Sequence, residues 1–421
     1  MCSEQHHSEQ ILCPHCDLLV ELPALASNSR AVCPRCKTTL CKRIEFPHKL
    51  AMGYAFSALF MLLLANLFPF VNMEVAGVYS QITLTEIPDV MIAEGYSILS
   101  ALFLVFVQII PAFCMLAIPL LCLYRAMSFR LKVWLAKAVF IAKTWCMVEI
   151  FLAGVLVSFV KLMAYGDIGV GVSFFAYCIF CVLQVKALQC IDRRWLWQQI
   201  APLPKLATPV EVGKPGLQQG VRSCPCCTAI LPVDKLECPR CLTHGHARKH
   251  NSLQWTLALL ITSVMLYIPA NLLPIMVTEA FGSQISSTIM SGVILLWEDG
   301  SYPVALVIFI ASILVPSLKI LAISWLCWDT KWKKQRDREQ MLRVYEIVEF
   351  VGRWSMIDVF VIAVLSALVR MGRLMSIYPD TGAVLFAMVV ILTMFSAMAF
   401  DPRLSWDRVN KLDEKDSDDV R

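Results

Sequence analysis

Eight apolar stretches, each about as long as a lipid bilayer is thick, constrain this chain more than any other feature of its sequence. A helix crosses the hydrocarbon core with about 20 apolar residues, whereas strands of a membrane barrel are near ten residues long and alternate in hydrophobicity. Only 16% of the residues are charged, against about 25% in soluble domains, which excludes a water-soluble enzyme of this size. We therefore predict an all-α polytopic membrane protein. The stretches lie at about 50–73, 98–124, 139–164, 170–191, 253–277, 302–328, 350–372 and 382–400.

The basic residues between these stretches are distributed unevenly. Residues 74–97 and 278–301 contain acidic residues but no Lys or Arg, whereas residues 125–143 and 329–343 carry five and six basic residues. Because Lys and Arg accumulate in cytoplasmic connections, the basic connections are predicted to be cytoplasmic. Both termini and all paired cysteines are then also predicted to lie in the cytoplasm, where thiols stay reduced.

Matched residues recur through the chain at a nearly constant spacing, first of 205 and then of 209 residues. This regularity predicts a tandem duplication of two parallel four-helix modules, a plan that recurs in transporters. The matched pairs include Cys33 and Cys238, Asn66 and Asn271, Pro69 and Pro274, Pro111 and Pro316, Trp145 and Trp354, Glu149 and Asp358, and Asp192 and Asp401.

The duplication divides the chain into six predicted segments. Each four-helix module follows a small cysteine-rich unit, and a stretch rich in proline and glycine joins the two halves. The charged end of the chain is expected to be disordered. The segments are a zinc ribbon at 1–48, a transmembrane module at 49–200, a linker at 201–223, a second ribbon at 224–250, a second module at 251–407 and a tail at 408–421.

Eight of the 18 cysteines form four Cys-x-x-Cys pairs, two in each cysteine-rich unit. Two such pairs can present four thiolates in a tetrahedron, which is the closed geometry of structural zinc. A redox dithiol and an iron site of the rubredoxin type are the alternatives. Cys226 offers a further thiol in the second unit, but the spacing favours its neighbours Cys224 and Cys227. The predicted ligands of the two zinc ions are Cys13, Cys16, Cys33 and Cys36, and Cys224, Cys227, Cys238 and Cys241.

Several ionisable residues lie at membrane depth. Glu149 and Asp358 fall near the middle of their predicted helices, and Lys319 lies deep in the sixth. Because a lone charge in the hydrocarbon core costs a few kcal/mol or more, these side chains are expected to face the interior and to pair or titrate. A proton relay and a static Lys319–Asp358 ion pair are both open. The relay candidates are Lys319, Asp358, Ser312, Ser355, Thr393 and Glu149; the first half has Cys114 at the position of Lys319.

The sequence contains no Walker A motif, no glycine-rich dinucleotide loop and no nucleophile elbow. We therefore expect that the protein is not an enzyme. The cysteine-rich units also lack a basic surface with interspersed aromatic residues, so binding to nucleic acid is not expected.

The chain resembles the paraquat-inducible protein A family of bacterial inner-membrane proteins over essentially its whole length. The resemblance implies two cytoplasmic zinc ribbons, a partner with mammalian-cell-entry (MCE) domains that forms a periplasmic tunnel, and an outer-membrane lipoprotein at the far end. It also implies movement of lipids, phospholipids in particular, between the two membranes in support of envelope integrity, with Lys319 and Asp358 as a proton-coupled site. The segments that carry the resemblance are residues 13–16, 33–36, 65–70, 149–161 and 349–358.

Two other functions are compatible with the sequence. One is a proton-coupled exporter of small cationic toxicants, which should place acidic residues along a pore, although only Glu149 and Asp358 are deep. The other is a membrane anchor for the tunnel protein that transports nothing itself. Such an anchor should tolerate the loss of the buried charges.

Overall fold

The computed structural model is a largely helical bundle with a different kind of cap at each end. Two small cysteine-containing units lie at one end, called the cysteine end here, and two β-sheets lie at the other, called the sheet end. The predicted tail at 408–421 lies outside the residues that the structure describes. The described residues are 9–23, 25–75, 78–123, 127–162, 167–204, 209–280, 283–298, 300, 302–332, 338–369 and 375–407.

The first half of the chain contains the first cysteine unit (residues 9–42) and the helices that follow it. A π-helical turn (Leu104–Ile109) joins two of these helices into one span. The elements are β1 (Glu9–Leu12), β2 (Leu19–Leu22), β3 (Arg30–Val32), β4 (Thr39–Lys42), α1 (Pro47–Leu67), β5 (Val71–Val75), β6 (Val78–Ile82), α2 (Glu86–Ala93), α3 (Ser97–Phe103), α4 (Ile110–Leu123), α5 (Phe129–Thr144), α6 (Val148–Leu162), β7 (Asp167–Val170), α7 (Val172–Cys190) and α8 (Arg193–Ile200).

The second half begins with the second cysteine unit (residues 221–250) and then has the same order of elements as α1 to α7, including a π-helical turn (Ile310–Leu314) in its second span. The elements are β8 (Val221–Ser223), β9 (Ile230–Pro232), α9 (Ser252–Leu272), β10 (Met276–Ala280), β11 (Ser283–Ser287), α10 (Ile289–Glu298), α11 (Tyr302–Phe309), α12 (Val315–Trp332), α13 (Arg338–Trp354), α14 (Ile357–Leu368), β12 (Met375–Pro379) and α15 (Thr381–Ala399).

Eight helical spans within the described residues are long and apolar enough to cross a membrane, as predicted. The first and fifth end about five residues earlier than predicted, at Leu67 and Leu272. Pro69 disfavours helical backbone at the residue before it, and the Asn66 side-chain amide donates to the Leu62 carbonyl at 2.8 Å, which satisfies a group at the helix end. The spans are Pro47–Leu67, Ser97–Leu123, Phe129–Phe159, Val172–Cys190, Ser252–Leu272, Ala305–Thr330, Gln340–Leu368 and Thr381–Asp407.

The third and seventh spans differ from the prediction because each is a broken helix. The third begins at Phe129 rather than near residue 139, so most of the basic connection at 125–143 is helix α5. The chain interrupts the helix between Thr144 and Val148 before α6 begins, and in the second half it does so between Trp354 and Ile357. The two interruptions lie at matching places in the two halves.

The sheet end contains two three-stranded antiparallel sheets that the sequence analysis did not predict. Their strand orders are β6-β5-β7 and β11-β10-β12. The alternation of apolar and polar residues in Val71–Val75 is typical of a strand and could have indicated one. The central strand pairs with a distant one, Val71 with Val170 in the first sheet and Met276 with Pro379 in the second.

The two halves pack against each other through α6 and α14. All residues of α14 except Asp358 are buried. At Gly154 a Cβ atom would lie 3.3 Å from the Phe360 Cβ, so a glycine lets the two helices approach closely. The rings of Phe151 and Phe360 meet edge to face with centroids 5.9 Å apart. This interface buries the middle of the bundle.

The first cysteine unit packs against the second half of the chain rather than against the helices that follow it. The Thr38 hydroxyl donates to the Glu346 carboxylate on α13 at 3.5 Å. The Arg35 guanidinium lies 4.3 Å from the centre of the Trp406 ring at the end of the eighth span. The first unit is therefore separated in sequence from the helices on which it rests.

The second cysteine unit lies on the first half. The Arg193 guanidinium on α8 donates to the Pro225 carbonyl at 3.3 Å, and the Lys137 ammonium on α5 donates to the Leu242 carbonyl at 3.5 Å. Residues 209–220 of the predicted linker lie along the first unit, where the Leu19 N–H donates to the Lys214 carbonyl at 3.0 Å. Each cysteine unit thus docks on the half of the chain that does not directly follow it, an arrangement called crossed docking here.

Candidate functional site

The eight predicted cysteine ligands form two buried groups of four at the cysteine end. Within each group, all four sulfur atoms lie within 4.8 Å of one another. The Cys13 and Cys36 sulfurs lie 3.4 Å apart, and those of Cys224 and Cys241 lie 3.5 Å apart. A tetrahedral zinc ion with bonds of about 2.3 Å places its sulfur ligands about 3.8 Å apart. Both groups therefore fit a four-coordinate metal ion.

The four Cys-x-x-Cys pairs all adopt the same turn. In the first pair, the Asp17 N–H donates to the Cys13 carbonyl at 3.0 Å. In each pair, the residue after the second cysteine has a positive φ, which costs a residue with a side chain about 1 kcal/mol. The turn is the same although the residue with positive φ differs from pair to pair. In each pair it places the two sulfurs side by side. The residues with positive φ are Asp17 (59°), Lys37 (61°), Thr228 (56°) and Leu242 (53°).

The close sulfurs change one another's affinity for protons. The pKa of Cys33 lies far below the ordinary thiol value because the Cys13 thiol and two others donate hydrogen bonds to it. The pKa of Cys241 is lowered in the same way, first by Cys224. The hydrogen bonds raise the pKa of other members of each group, first through Cys16 at Cys13 and first through Cys224 at Cys227. A zinc ion would bind all four sulfurs of a group as thiolates.

A buried charge network ties the two cysteine units to the end of the eighth span. The Arg248 guanidinium donates to Asp17 at 2.8 Å and to Asp407 at 2.6 Å, and the Asp17 carboxylate also accepts from the Leu217 N–H at 3.1 Å. Burial by itself lowers the pKa of Arg248, but the hydrogen bond to Asp407 and the charge of Asp17 outweigh it and raise that pKa. The network therefore joins four segments of the chain: the first unit, the linker, the second unit and the end of the eighth span.

The acidic relay candidates lie in the first turn of the second part of each broken span. Glu149 is in the first turn of α6, and Asp358 is in the first turn of α14. They are near mid-span as predicted, but each begins a helix, where the helix dipole favours negative charge. Glu149 is exposed and lines a small pocket with Gln184 and Arg353, and its carboxylate forms no hydrogen bond or salt bridge with another described residue.

Lys319 is buried, with 3% of its surface exposed. Its ammonium lies 3.5 Å from the Gly352 carbonyl, and within the described part of the chain it forms no salt bridge with Asp358. A Cβ atom at position 352 would lie 2.9 Å from the Lys319 nitrogen, so the absence of a side chain on Gly352 makes room for the ammonium.

Two pockets divide the relay candidates between them. The sheet-end pocket, of about 110 Å³, is lined mainly by apolar side chains such as Ile289, Val361 and Leu365 and includes Ser312 and Asp358. The cysteine-end cavity, of about 530 Å³, includes Lys319. The sheet-end pocket and the cavity therefore approach the middle of the second half from opposite ends.

The remaining candidates lie beside these two pockets. Ser355 lies three residues from both Gly352 and Asp358; its hydroxyl is buried and has no hydrogen-bond partner among the described residues. The buried Thr393 hydroxyl donates to the Val390 carbonyl of its own helix at 2.9 Å. The structure thus brings Ser312 and Asp358 into one pocket, but it does not assemble all six candidates into one cluster.

Sequence reasoning missed four cations that line the cysteine-end cavity together with Lys319. Their signal was available in part, because Lys143 and Arg353 fall inside predicted membrane spans, where a basic residue is costly. Convergence on one cavity depends on the contact between the halves, which the sequence pattern does not give. The four residues are Lys42, Lys143, Arg193 and Arg353.

Comparison with known proteins places the geometry in a family context. A family model described as paraquat-inducible protein A matches residues 49–201 and 253–410. The chain is 63% identical over 417 residues to the intermembrane transport protein PqiA of Escherichia coli strain K12, covering 99% of this chain and 100% of that protein. It is 29% identical over 403 residues to the lipophilic envelope-spanning tunnel protein A of the same strain, covering 94% and 90%. A probable intermembrane transport protein of Haemophilus influenzae is 29% identical over 408 residues, with 94% and 95% covered. No solved structure matches the chain.

Proposed function

The chain belongs to the paraquat-inducible protein A family, and we propose on this ground that it moves phospholipids between the inner and outer membranes of a bacterial envelope. The observation that carries the proposal is the sheet-end pocket, which joins an apolar lining to Ser312 and Asp358 near the middle of a membrane span. An apolar pocket of this kind accommodates part of an acyl chain. The names of the relatives support transport, and they support no enzymatic activity.

We propose that the cysteine end faces the cytoplasm and that the sheet end faces the periplasm. The support is the excess of Lys and Arg in the connections at the cysteine end. A tunnel protein with MCE domains would then receive lipid at the sheet end, with an outer-membrane lipoprotein beyond it. A relative named as an envelope-spanning tunnel protein supports this arrangement. The repeated element order and the two matched segments of the family model support a tandem duplication.

We propose that each group of four cysteines holds one structural zinc ion. The residues that would bind the two ions are the eight buried ligands described above. Zinc fits better than a redox pair or an iron site because four sulfurs close the coordination sphere and the units are too small to fold easily without a metal. The metal would fix the fold of each unit and take no part in transport chemistry.

The relay candidates are proposed to pass protons between the cysteine-end cavity and the sheet-end pocket. Lys319 would exchange protons with the cavity, and Ser355 lies between Gly352 and Asp358 in the chain. Asp358 and Ser312 line the sheet-end pocket. Thr393 flanks the path next to Met394, a residue of the cavity wall, and Glu149 lines a smaller pocket nearby.

The relay can be tested in cells that lack the native gene and carry the full chain, by following isotope-labelled phospholipid between the two membranes. Lys319→Met and Asp358→Asn should each slow the transfer at normal protein abundance, because each removes a group that gains and loses a proton. Gly352→Ala should also slow it, since the added methyl group displaces the Lys319 ammonium. Lys186→Met removes an exposed lysine from α7 and should leave the transfer unchanged.

Normal transfer in both Lys319→Met and Asp358→Asn would contradict the relay and indicate an anchor for the tunnel protein. Transfer that does not depend on the chain at all would contradict lipid transport. Extrusion of small cations that depends on Asp358, without lipid transfer, would indicate the alternative exporter.

A further inference from the structure

The cysteine-end cavity is a positively charged chamber between the two halves of the bundle. Its volume of about 530 Å³ lies within the roughly 300–1,000 Å³ that small-molecule sites occupy. Two acidic side chains, Asp192 and Glu349, also line it. Five cations therefore face two anions, which leaves a formal excess of three positive charges. The five cations are Lys42, Lys143, Arg193, Lys319 and Arg353.

The two anions form no ion pair with the cations of the inner wall. Within the described part of the chain, no salt bridge joins Asp192 or Glu349 to Lys143, Lys319 or Arg353. The Asp192 carboxylate is instead used as a helix cap, because it accepts from two N–H groups at the start of α8.

Within the described residues, the ammonium groups of the two inner-wall lysines contact backbone carbonyls as their only hydrogen-bond acceptors. Lys143 donates to the Leu188 carbonyl at 2.9 Å, and Lys319 lies 3.5 Å from the Gly352 carbonyl. An ammonium group has three protons, so each lysine retains donors for another acceptor. An anion in the cavity would satisfy them.

The two lysines occupy related places in the two halves, but on different spans. Lys143 lies on the third span of the first half, and Lys319 lies on the second span of the second half. At the spacing of 205 residues, Lys319 corresponds to Cys114, and at 209 residues Gly352 corresponds to Lys143. Each half thus supplies one lysine and one small residue to the contact between its second and third spans. One of these two lysines from each half therefore reaches the shared cavity.

The wall also contains an apolar part, and a second pocket adjoins it. Phe140 and Met398 line the cavity beside the cations, and Met398 is 36% exposed. The neighbouring pocket shares Lys42 and Asp192 with the cavity and adds Arg43, Lys49 and Glu45. Cations that converge next to apolar surface at one end of the membrane spans match a phosphate joined to a lipid.

We propose that the cysteine-end cavity binds a phosphate group, whose oxygens accept hydrogen bonds mainly from Lys143, Lys319 and Arg353, and that this phosphate is the head group of a phospholipid in the adjacent leaflet. Lys and Arg form short, charge-assisted hydrogen bonds with phosphate oxygens. The lipid origin of the phosphate rests on the proposed transport function, whereas the phosphate site itself rests on the geometry of the cavity.

The purified full chain in detergent provides a direct binding test by native mass spectrometry. Dioctanoyl phosphatidylglycerol should bind, and Lys143→Met should weaken its binding about tenfold, the usual effect of losing one hydrogen bond to a charged group. Lys143→Arg keeps the charge and should retain binding. Lys186→Met, the control at an exposed lysine of α7, should bind like the unmodified chain.

Two further probes identify the chemistry and its source. Dioctanoylglycerol, which lacks the phosphate, should bind at least about tenfold more weakly than the phosphatidylglycerol, by the same hydrogen-bond argument. Equal binding of the two lipids, or unchanged phosphatidylglycerol binding in Lys143→Met, would overturn the proposal. Failure of millimolar inorganic phosphate to displace the lipid would support a lipid head group, and efficient displacement would support the phosphate site but overturn its lipid origin.

The outcomes for the site and for transport are separable. Unchanged binding in Lys143→Met together with slowed transfer in Lys319→Met would overturn the phosphate site and leave transport standing. Binding that depends on Lys143 in a chain that transfers no lipid would overturn transport and leave the site standing.

Discussion

The thiol of Cys33 lies 3.6 Å from that of Cys16, and both side chains are completely buried. Their positions follow from turns of four or five residues, so the identity of the ligands depends on very short stretches of chain. The charged residues at membrane depth behave differently. Lys319 owes its place to the missing side chain of Gly352, and Glu149 is exposed although its counterpart Asp358 is half-buried. Residue type identified the candidate ligand and relay side chains, but it did not predict the environment of each.

Replacement of one zinc ligand should remove one metal ion and leave the other. We expect Cys33→Ser to halve the zinc content from two ions to one per chain and to lower abundance in the membrane, because a small unit without its metal loses most of its folding energy. Elemental analysis of the purified chain measures the zinc. Cys178→Ser, at a half-buried cysteine of α7, should retain both ions. Two zinc ions in Cys33→Ser would show that this cluster is not the site.

At the scale of elements, a buried ion pair between Asp17 and Arg248 joins the two cysteine units. The Asp17 side chain is 2% exposed and that of Arg248 is 13% exposed. A buried pair of this kind is costly to break, because removing one partner leaves an uncompensated charge. The pair Glu211 and Lys214 has an even shorter contact of 2.6 Å, but its side chains are 72% and 60% exposed. Burial rather than distance decides what the two pairs contribute.

These two pairs give a matched prediction. Arg248→Met should destabilise the docking of the two units by about 3–5 kcal/mol, because Asp17 would remain buried without its cation. Lys214→Met should cost less than about 1 kcal/mol, as is usual for an exposed pair. Hydrogen exchange of the Leu217 amide, which donates to Asp17, reports the difference. Equal exchange in the two variants would show that Arg248 does not hold the units together.

Across the whole molecule, the crossed docking makes each half depend on a unit that the other half carries in sequence. The first unit contacts α13 and the end of the eighth span, and the second contacts α5 and α8. Together with the packing of α6 on α14, this joins the halves both at mid-membrane and at the cysteine end. The cavity with its five cations exists only because the halves are held in this way.

A cross-linking experiment distinguishes crossed from uncrossed docking. Thr38→Cys combined with Glu346→Cys should be joined by a short bismaleimide, since the two side chains are in contact at 3.5 Å. The chain is then cut within residues 205–208, and a cross-link keeps the halves together on a denaturing gel. Thr38→Cys combined with Gln284→Cys, an exposed residue of β11 at the sheet end, also spans the cut and should separate. Separation of the first combination, or equal retention of both, would contradict the crossed arrangement.

The sequence by itself determined the eight spans, the two four-cysteine groups and the order in which they occur. These features depend on the hydrophobicity of continuous stretches and on ligand spacings of a few residues, which the chain carries locally. The strand pairs of the sheet end could not be predicted in the same way, because Val71 and Val170 are about a hundred residues apart.

Only the tertiary structure decided which half each cysteine unit contacts, which pocket each candidate residue reaches and how five cations come to share one cavity. The physical reason is that a basic residue has the same sequence signature on a solvated helix end as in a cavity between two helices. Its surroundings are set by the packing of α6 on α14 and by the crossed units, and these contacts join segments that no local pattern connects.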